Sequence, residues 1–132
     1  MFYLWTNYYQ RDAIMSRAFM GDKPADRLEL LQGTLDMMVL RMLSAGPANG
    51  YEIARGIERL SDDVLAVDHG SLYPALQRLE KGGLIAGKWE ISSTNRRARY
   101  YRLTAAGRKR LLVERSRWEQ MAAAIGRVMR PA

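Results

Sequence analysis

The residues of this sequence most able to do chemistry are the arginines and lysines gathered in one stretch near its carboxyl end. Residues 92–117 hold nine basic side chains against one acidic side chain, a net charge of +8, whereas the whole chain of 132 residues carries +7. Charge concentrated in one segment creates a local potential that attracts phosphates and releases their counterions. A charge that served only solubility would be spread over the surface. The pattern therefore favours a polyanionic partner, with nucleic acid first.

Catalytic and metal-binding chemistry has little support in the same sequence. Asp68, His69 and Ser71 are the residue types of a hydrolytic triad, but neighbours on one turn cannot adopt its geometry, and no oxyanion motif accompanies them. The chain has one histidine and no cysteine, which excludes a disulfide framework, a cysteine-based zinc site and a thiol nucleophile. The histidine and its neighbouring aspartates could recruit a cation only weakly. We therefore expect no enzyme activity, no metal and no cofactor.

Length and composition indicate one folded domain with an appendage. Hydrophobic residues make up 48% of the chain and charged residues 27%, which is typical of a folded soluble protein. The most apolar run, Met37 to Leu43, is interrupted by Arg41 and falls far short of the ~18 residues that span a bilayer. The amino terminus has no basic region ahead of its apolar residues, so we expect neither a membrane span nor a signal peptide.

Three helical patterns come first along the chain. Residues 28–43 repeat apolar side chains at helical spacing. Asp26 and Glu29 form a capping pair for this helix, and Gly33–Thr34 is a later alternative start. The apolar positions are Leu28, Leu31, Leu35, Met38, Val39 and Met42. A second helix begins near Asn49, capped with Glu52. Its predicted buried residues are Tyr51, Ile53 or Ala54, Ile57 and Leu60.

The third helix is predicted to begin at about Gly70 or Ser71, because Pro74 is best tolerated in a first turn, and to end at Gly82. It buries Leu72, Ala75, Leu76 and Leu79.

A change of period then predicts a β-hairpin. Ile85, Trp89 and Ile91 alternate with Ala86, Lys88 and Glu90, as in a half-buried strand; residues 92–95 are turn formers, and residues 98–103 form the return strand. Thr104 is a good N-cap for a long last helix. The expected fold is mostly α with a small β-hairpin wing: a winged helix-turn-helix domain over residues 26–103, followed by a helix over residues 104–132. Such a domain places helix 70–82 in the major groove and the wing, residues 92–102, on the DNA backbone or in the minor groove.

Four separated blocks resemble the PadR-like transcriptional regulators. They are residues 31–36 (LQGTLD), residues 46–53 with GP and GYEI, residues 70–80 with GSLYPAL and RLE, and residues 100–107 with YYRLT and a glycine. The resemblance covers roughly residues 28–130 and is greatest to the short members. It implies a bacterial or archaeal regulator, cytoplasmic and associated with the nucleoid. It also implies dimerisation through the last helix, and repression of transcription until a small-molecule effector intervenes.

Nine residues are the predicted DNA contacts, because hydroxyl, amide and guanidinium groups reach phosphates and base edges. The third helix supplies Ser71, Tyr73, Pro74, Gln77 and Arg78, and the wing supplies Lys88, Arg96, Arg97 and Arg99. The other interpretation of Tyr73 and Pro74 is a role in starting the helix. Tyr100 and Tyr101 are expected to pack within the strand.

The last helix has an apolar seam at heptad spacing, which one helix cannot bury alone. The predicted dimerisation residues are Leu111, Trp118, Ala122, Ile125 and Met129. Trp118 is expected to pack in this interface, and the alternative is that it lines an effector cavity there.

Residues 1–25 lie outside the resemblance. They are an extension that is disordered, an arm that packs on a partner subunit, or a stretch upstream of a true start at Met15 or Met20.

We predict a sequence-specific repressor that binds a palindromic operator as a homodimer. One alternative is a winged helix that binds nucleic acid without sequence preference. The other is a protein-interaction module, which an arginine-rich wing tip without aromatic anchors disfavours.

Overall fold

The computed structural model describes residues 28–29 and 33–131, which form helices and short strands in an alternating order. The helices are α1 (Thr34–Leu43), α2 (Gly50–Leu60), α3 (His69–Lys81) and α4 (Ala105–Met129). The strands are β1 (Leu28–Glu29), β2 (Ala48–Asn49), β3 (Leu65–Ala66), β4 (Ile85–Ile91) and β5 (Arg97–Leu103). Three helices followed by a hairpin and a long helix are the predicted fold class, which is confirmed. In the described part of the chain, no helix is both long and apolar enough to cross a membrane.

The core lies where the first three helices meet the base of the hairpin. Its most deeply buried large side chains include Leu40 of α1, Ile53 of α2, Leu72 and Leu76 of α3, and Ile85 of β4. Removing such side chains from water is the main favourable contribution to folding. The core therefore fixes α3 and the foot of the hairpin to each other.

The hairpin is part of a three-stranded antiparallel sheet. β5 lies in the middle and pairs with β4 along its whole length, from Ile85 opposite Leu103 to Ile91 opposite Arg97. On its other edge β5 pairs with the two residues of β2, which precede α2. β1 and β3 form a separate short parallel pair. The pairing of β2 with β5 brings the first turn of α2 against the wing.

The predicted caps of α2 and α4 are present. Asn49 and Glu52 form the reciprocal capping box of α2, with the Glu52 amide 2.8 Å from Asn49 Oδ1 and the Asn49 amide 3.0 Å from Glu52 Oε1. Thr104 caps α4 by accepting a hydrogen bond from the Gly107 amide at 3.0 Å. These contacts are local in sequence, which is why residue types at fixed spacing predicted them.

The structure decides between the two predicted starts of the first helix and moves the start of the third helix one residue earlier than predicted. α1 begins at Thr34, so the later of its two starts is correct: Gly33 has φ of 96°, and Leu28 lies in β1 instead of in the helix. Asp26 and Leu31 lie outside the described residues. α3 begins at His69, with Asp68 as N-cap, so Pro74 falls beyond the first turn, where its ring is exposed.

Four residues predicted to be buried are exposed. Tyr51 and Leu60 of α2 lie off the buried face, which also includes Gly56 and Glu58. Trp89 and Ile91 of β4 are 52% and 64% exposed, because the hairpin extends past the core after Ile85. The side chains of β4 therefore alternate between the two faces of the strand, but only those at its foot lie over the core.

Candidate nucleic-acid interface

The exposed residues of α3 begin at its first turn. Ser71, Pro74 and Gln77 are all exposed, and Ser71 Oγ lies 3.2 Å from a carboxylate oxygen of the N-cap residue, Asp68. Tyr73 is 39% exposed, and its ring lies tilted on His69 with 4.6 Å between the ring centroids. These four predicted contacts therefore stand at a surface, with hydroxyl, amide and aromatic groups accessible to a ligand.

The Tyr73 ring also reaches across to the start of α2. A side chain on Gly50 would place a Cβ only 3.0 Å from the Tyr73 hydroxyl oxygen, so glycine at this position leaves room for the ring. The first turns of α2 and α3 are consequently in contact through one tyrosine.

Arg78 is held by a partner within the protein. Its Nη2 lies 2.8 Å from Oδ1 of Asp36 in α1, and the side chains are 44% and 27% exposed. The pair joins α3 to α1, and its two residues lie 42 positions apart in the sequence. Arg78 stays a predicted DNA contact, but such a contact must share this guanidinium with Asp36.

One face of the wing stacks arginines on aromatic rings. The Arg97 guanidinium carbon lies 4.8 Å from the centroid of the Trp89 ring, and that of Arg99 lies 5.8 Å from the centroids of both Trp89 and Tyr101. Cations at these distances are attracted to the ring faces, which also restricts the arginine rotamers. Trp89 was missed as a functional candidate because its alternation with Lys88 and Glu90 suggested burial.

The four predicted basic residues of the wing differ in their partners. Arg99 Nη2 lies 2.6 Å from Oε2 of Glu80 in α3, and this hydrogen bond raises the pKa of Arg99 above its ordinary value. Lys88 Nζ lies 3.9 Å from Glu90 on the other face of the hairpin. Arg96 and Arg97 are exposed and form no ion pair with the described residues. They are the wing residues most available to phosphates.

One open cleft of about 850 Å³ lies between the wing and the first turn of α2, and α3 contributes Tyr73 to its lining. Its lining includes Tyr51, Tyr73, Trp89, Arg96, Arg97, Arg99 and Tyr101. Guanidinium groups bind phosphate oxygens, and aromatic rings pack against sugars or bases. The cleft can therefore accept a sugar-phosphate strand along the wing, and Tyr51 and Trp89 are two residues of it that sequence reasoning did not select.

His69 is unsuited to catalysis. Only 3% of its surface is exposed, and burial lowers its pKa to about 4. The Ser71 hydroxyl lies near Asp68 instead of forming a triad with the imidazole. Among the described residues no group of three histidine, cysteine or acidic side chains could hold a metal ion.

The predicted dimerisation residues lie along α4. Leu111 packs partly against the core, which ties the start of the helix to its own domain. Farther along, Trp118, Ile125 and Met129 are exposed by 43%, 52% and 74%, and Ala122 is exposed as well. Met121 and Val128, at the edge of the same apolar face, are also exposed. The distal half of the helix thus presents an apolar surface.

Three helices are followed by a hairpin beside the third helix, and basic side chains lie on both this helix and the hairpin. This arrangement defines a winged helix-turn-helix DNA-binding domain. The sequence profile described as the transcriptional regulator PadR-like family matches residues 39–112, more than half of the chain. The chain belongs to this family, as its sequence blocks indicated. It is a DNA-binding transcriptional regulator and, like the family, not an enzyme.

Solved structures of relatives have the same fold. A transcriptional regulator from Clostridium thermocellum is 31% identical, with a TM-score of 0.68, and the match covers 75% of this chain and 96% of that one. A PadR-like transcriptional regulator from Bacillus cereus is 26% identical with a TM-score of 0.65, covering 77% and 97%. An uncharacterized protein from Lysinibacillus sphaericus is 28% identical over 95 residues, which are 72% of this chain and 87% of that protein.

Proposed function

We propose that this protein is a repressor that binds a palindromic operator as a homodimer. Each subunit inserts α3 into the major groove and lays its wing along the backbone or in the minor groove. The observation that carries the proposal is the shared cleft, where the arginine and aromatic face of the wing meets the first turn of α2 and Tyr73 of α3. Direct readout falls to Ser71, Tyr73 and Gln77, and phosphate binding to Arg96 and Arg97.

The apolar surface of α4 supports the dimer. A row of large apolar side chains at heptad spacing is unfavourable in water unless another surface covers it. A second copy of the same helix is complementary to this row in length and period. In a two-fold dimer the two recognition helices read half-sites about one helical turn, ~10 bp, or more apart. Trp118 packs in this interface, and an effector cavity beside it is the alternative role. The protein would then act in the bacterial or archaeal cytoplasm, on the nucleoid.

Selection of binding sites from random duplex DNA tests the function. The purified protein is incubated with the library at ~150 mM salt, where weak phosphate-only binding is largely screened. Enrichment of an inverted repeat supports a site-specific dimer. Retention of DNA without an enriched motif indicates an architectural nucleic-acid-binding protein instead, and no retention at all favours a protein partner.

The direction of regulation needs a second measurement. A reporter gene is placed downstream of the selected operator, with and without the regulator gene in the same cell. Repression predicts higher expression without the regulator, and lower expression there would show an activator.

A further inference from the structure

One carboxylate connects the recognition helix to both strands of the wing. Oε2 of Glu80, in the last turn of α3, lies 2.6 Å from Nη2 of Arg99 on β5. The same oxygen accepts a hydrogen bond from the Gly87 amide of β4 at 3.2 Å. Glu80 thus makes one charge-assisted contact and one backbone contact, each to a different strand.

The wing is shaped to allow this contact. A side chain on Gly87 would place a Cβ 2.7 Å from Nε of Arg99, so the absence of a side chain lets the guanidinium lie across the strand towards α3. Arg99 and Glu80 are 31% and 32% exposed, which shields their interaction more than that of a fully exposed pair. The rings of Trp89 and Tyr101 border the same guanidinium.

We propose that Glu80 is a positioning residue for DNA recognition, which fixes the angle between the wing and α3 and withholds Arg99 from phosphates. The inference rests on the proposed DNA-binding function and adds the residue that sets its geometry. The core holds only the foot of the hairpin, since β4 is exposed beyond its first residues. Beyond that foot the hairpin is held by the pairing of β5 with β2 and by Glu80, whose hydrogen bonds to Gly87 and Arg99 tie its middle to α3.

This contact has opposite consequences for specific and nonspecific binding. A wing held at a fixed angle has no conformational freedom to lose when it binds. The wing and α3 can therefore contact the duplex together in one register. A released wing loses that advantage at the operator. At the same time Arg99 becomes available to any phosphate, and a negative charge beside the DNA is removed. Release should therefore weaken operator binding relative to binding of random duplex.

The test compares Glu80→Gln with Glu90→Gln. Both variants remove one negative charge and release one basic side chain of the wing, because Glu90 pairs with Lys88 at 3.9 Å. Glu90 lies on the opposite face of the hairpin, so it is a matched electrostatic control. Affinities for the selected operator and for a random duplex of equal length are measured over a series of salt concentrations.

We expect E80Q to reduce the ratio of operator to random affinity on the order of tenfold, comparable to one mismatched base pair. Its salt dependence on random duplex should steepen by about 1.8 in log–log slope, the effect of one added phosphate contact in each subunit of the dimer. E90Q should leave the ratio unchanged. If E80Q and E90Q alter the ratio alike, the positioning role is wrong.

A measurement without DNA separates this inference from the proposed function. Amide hydrogen exchange of Gly87, followed by NMR, should be faster in Glu80→Ala than in the wild type, because the acceptor is lost. E80Q, whose uncharged amide oxygen is a weaker acceptor than the carboxylate, should exchange at an intermediate rate, and E90Q should not change the rate. Equal exchange in the wild type and E80A would overturn the contact itself. If the wild type prefers no DNA sequence, the proposed function fails even where exchange shows the contact.

Discussion

At the scale of single residues, arginines only a few positions apart have different tasks because their neighbours differ. Arg96 is exposed at the wing tip, Arg97 lies on the Trp89 ring, and Arg99 is bound to Glu80. A guanidinium already paired with a carboxylate gains less from a phosphate than one that faces water. Affinity for the DNA backbone should therefore depend mainly on Arg96 and Arg97.

Replacing Arg96 and Arg97 together with alanine should weaken binding to all DNA sequences alike. If six to ten phosphates are contacted, wild-type affinity falls ~10³ to 10⁵ fold between 50 and 200 mM salt, and the variant should lose about 3.6 units of that log–log slope, because a dimer loses the two arginines from each of its two wings. Fluorescence anisotropy with operator and random duplexes measures both quantities. The control is Arg127→Ala with Arg130→Ala, an equal charge change at the end of α4. An unchanged slope in the wing variant would reject the assignment of the wing.

His69 should make the fold sensitive to acid. Burial lowers its pKa to about 4, from an ordinary value of 6.5. As the pH falls from 6.5 towards 4, the unfolded chain binds a proton at this histidine before the folded chain does. The unfolding free energy that this pKa difference contributes is therefore fully present above pH 6.5 and is lost over that range. The loss approaches about 3 kcal/mol of unfolding free energy.

Urea unfolding of the wild type and of His69→Phe at pH 7.5, 6, 5 and 4.5 checks this prediction. Phenylalanine keeps a ring beside Tyr73 but cannot titrate. The wild type should lose stability relative to H69F as the pH falls, and parallel curves for the two proteins would contradict the assignment.

At the scale of elements, the start of α4 is fixed by a close approach that only glycine permits. A side chain on Gly107 would meet the Leu84 carbonyl oxygen and would lie 2.7 Å from Cδ1 of Leu103. Thr104 Oγ1 also lies 2.7 Å from the Gly83 carbonyl oxygen. The long helix is thereby anchored to the foot of the wing, so the directions of the two elements are coupled.

Two glycines of α4 should respond in opposite ways to alanine. Gly107→Ala should destabilise the fold by about 1 to 3 kcal/mol, because the backbone of Leu84 must move. Gly126→Ala should stabilise the helix by roughly 0.5 to 1 kcal/mol, since no atom outside its own turn lies within 4 Å of the added carbon. Urea unfolding at fixed protein concentration measures both, and equal signs for the two variants would show that the approach at Gly107 is looser than described.

At the scale of the whole molecule, the predicted DNA-binding residues and the predicted dimerisation residues lie on different surfaces. Basic and aromatic groups gather at the cleft beside the wing, whereas exposed apolar side chains follow the distal half of α4. The first surface suits a polyanion and the second suits another apolar surface.

Ile125→Glu should convert the proposed dimer into a monomer. Two-fold symmetry places the charge in the interface twice, where burial without a partner costs several kcal/mol. Leu112→Glu is the matched control: Leu112 is 66% exposed but lies about 140° around the helix from Ile125. Sedimentation equilibrium should show half the mass for I125E and an unchanged mass for L112E. A wild type that sediments as a monomer would remove the basis for the palindromic operator.

The cleft itself was predictable only in part. Of its lining, Tyr73 and the wing arginines were selected from the sequence, because residues near the start of the third helix and basic residues in a hairpin have a typical use in this fold. Trp89 was missed, since alternation predicts which strand residues share a face but not where the core beneath that face ends. Tyr51 was missed for a similar reason, because helical spacing placed it near the buried side.

The sequence by itself determined the winged helix, the caps of α2 and α4 and the location of the positive charge, because these depend on residues a few positions apart. The tertiary structure alone decided the partners of Arg78 and Arg99. Arg78 meets Asp36 over 42 residues, and Arg99 meets Glu80 over 19, so neither pair follows from local spacing. Ion pairs of this kind form only after the core has fixed the relative positions of the helices and the wing.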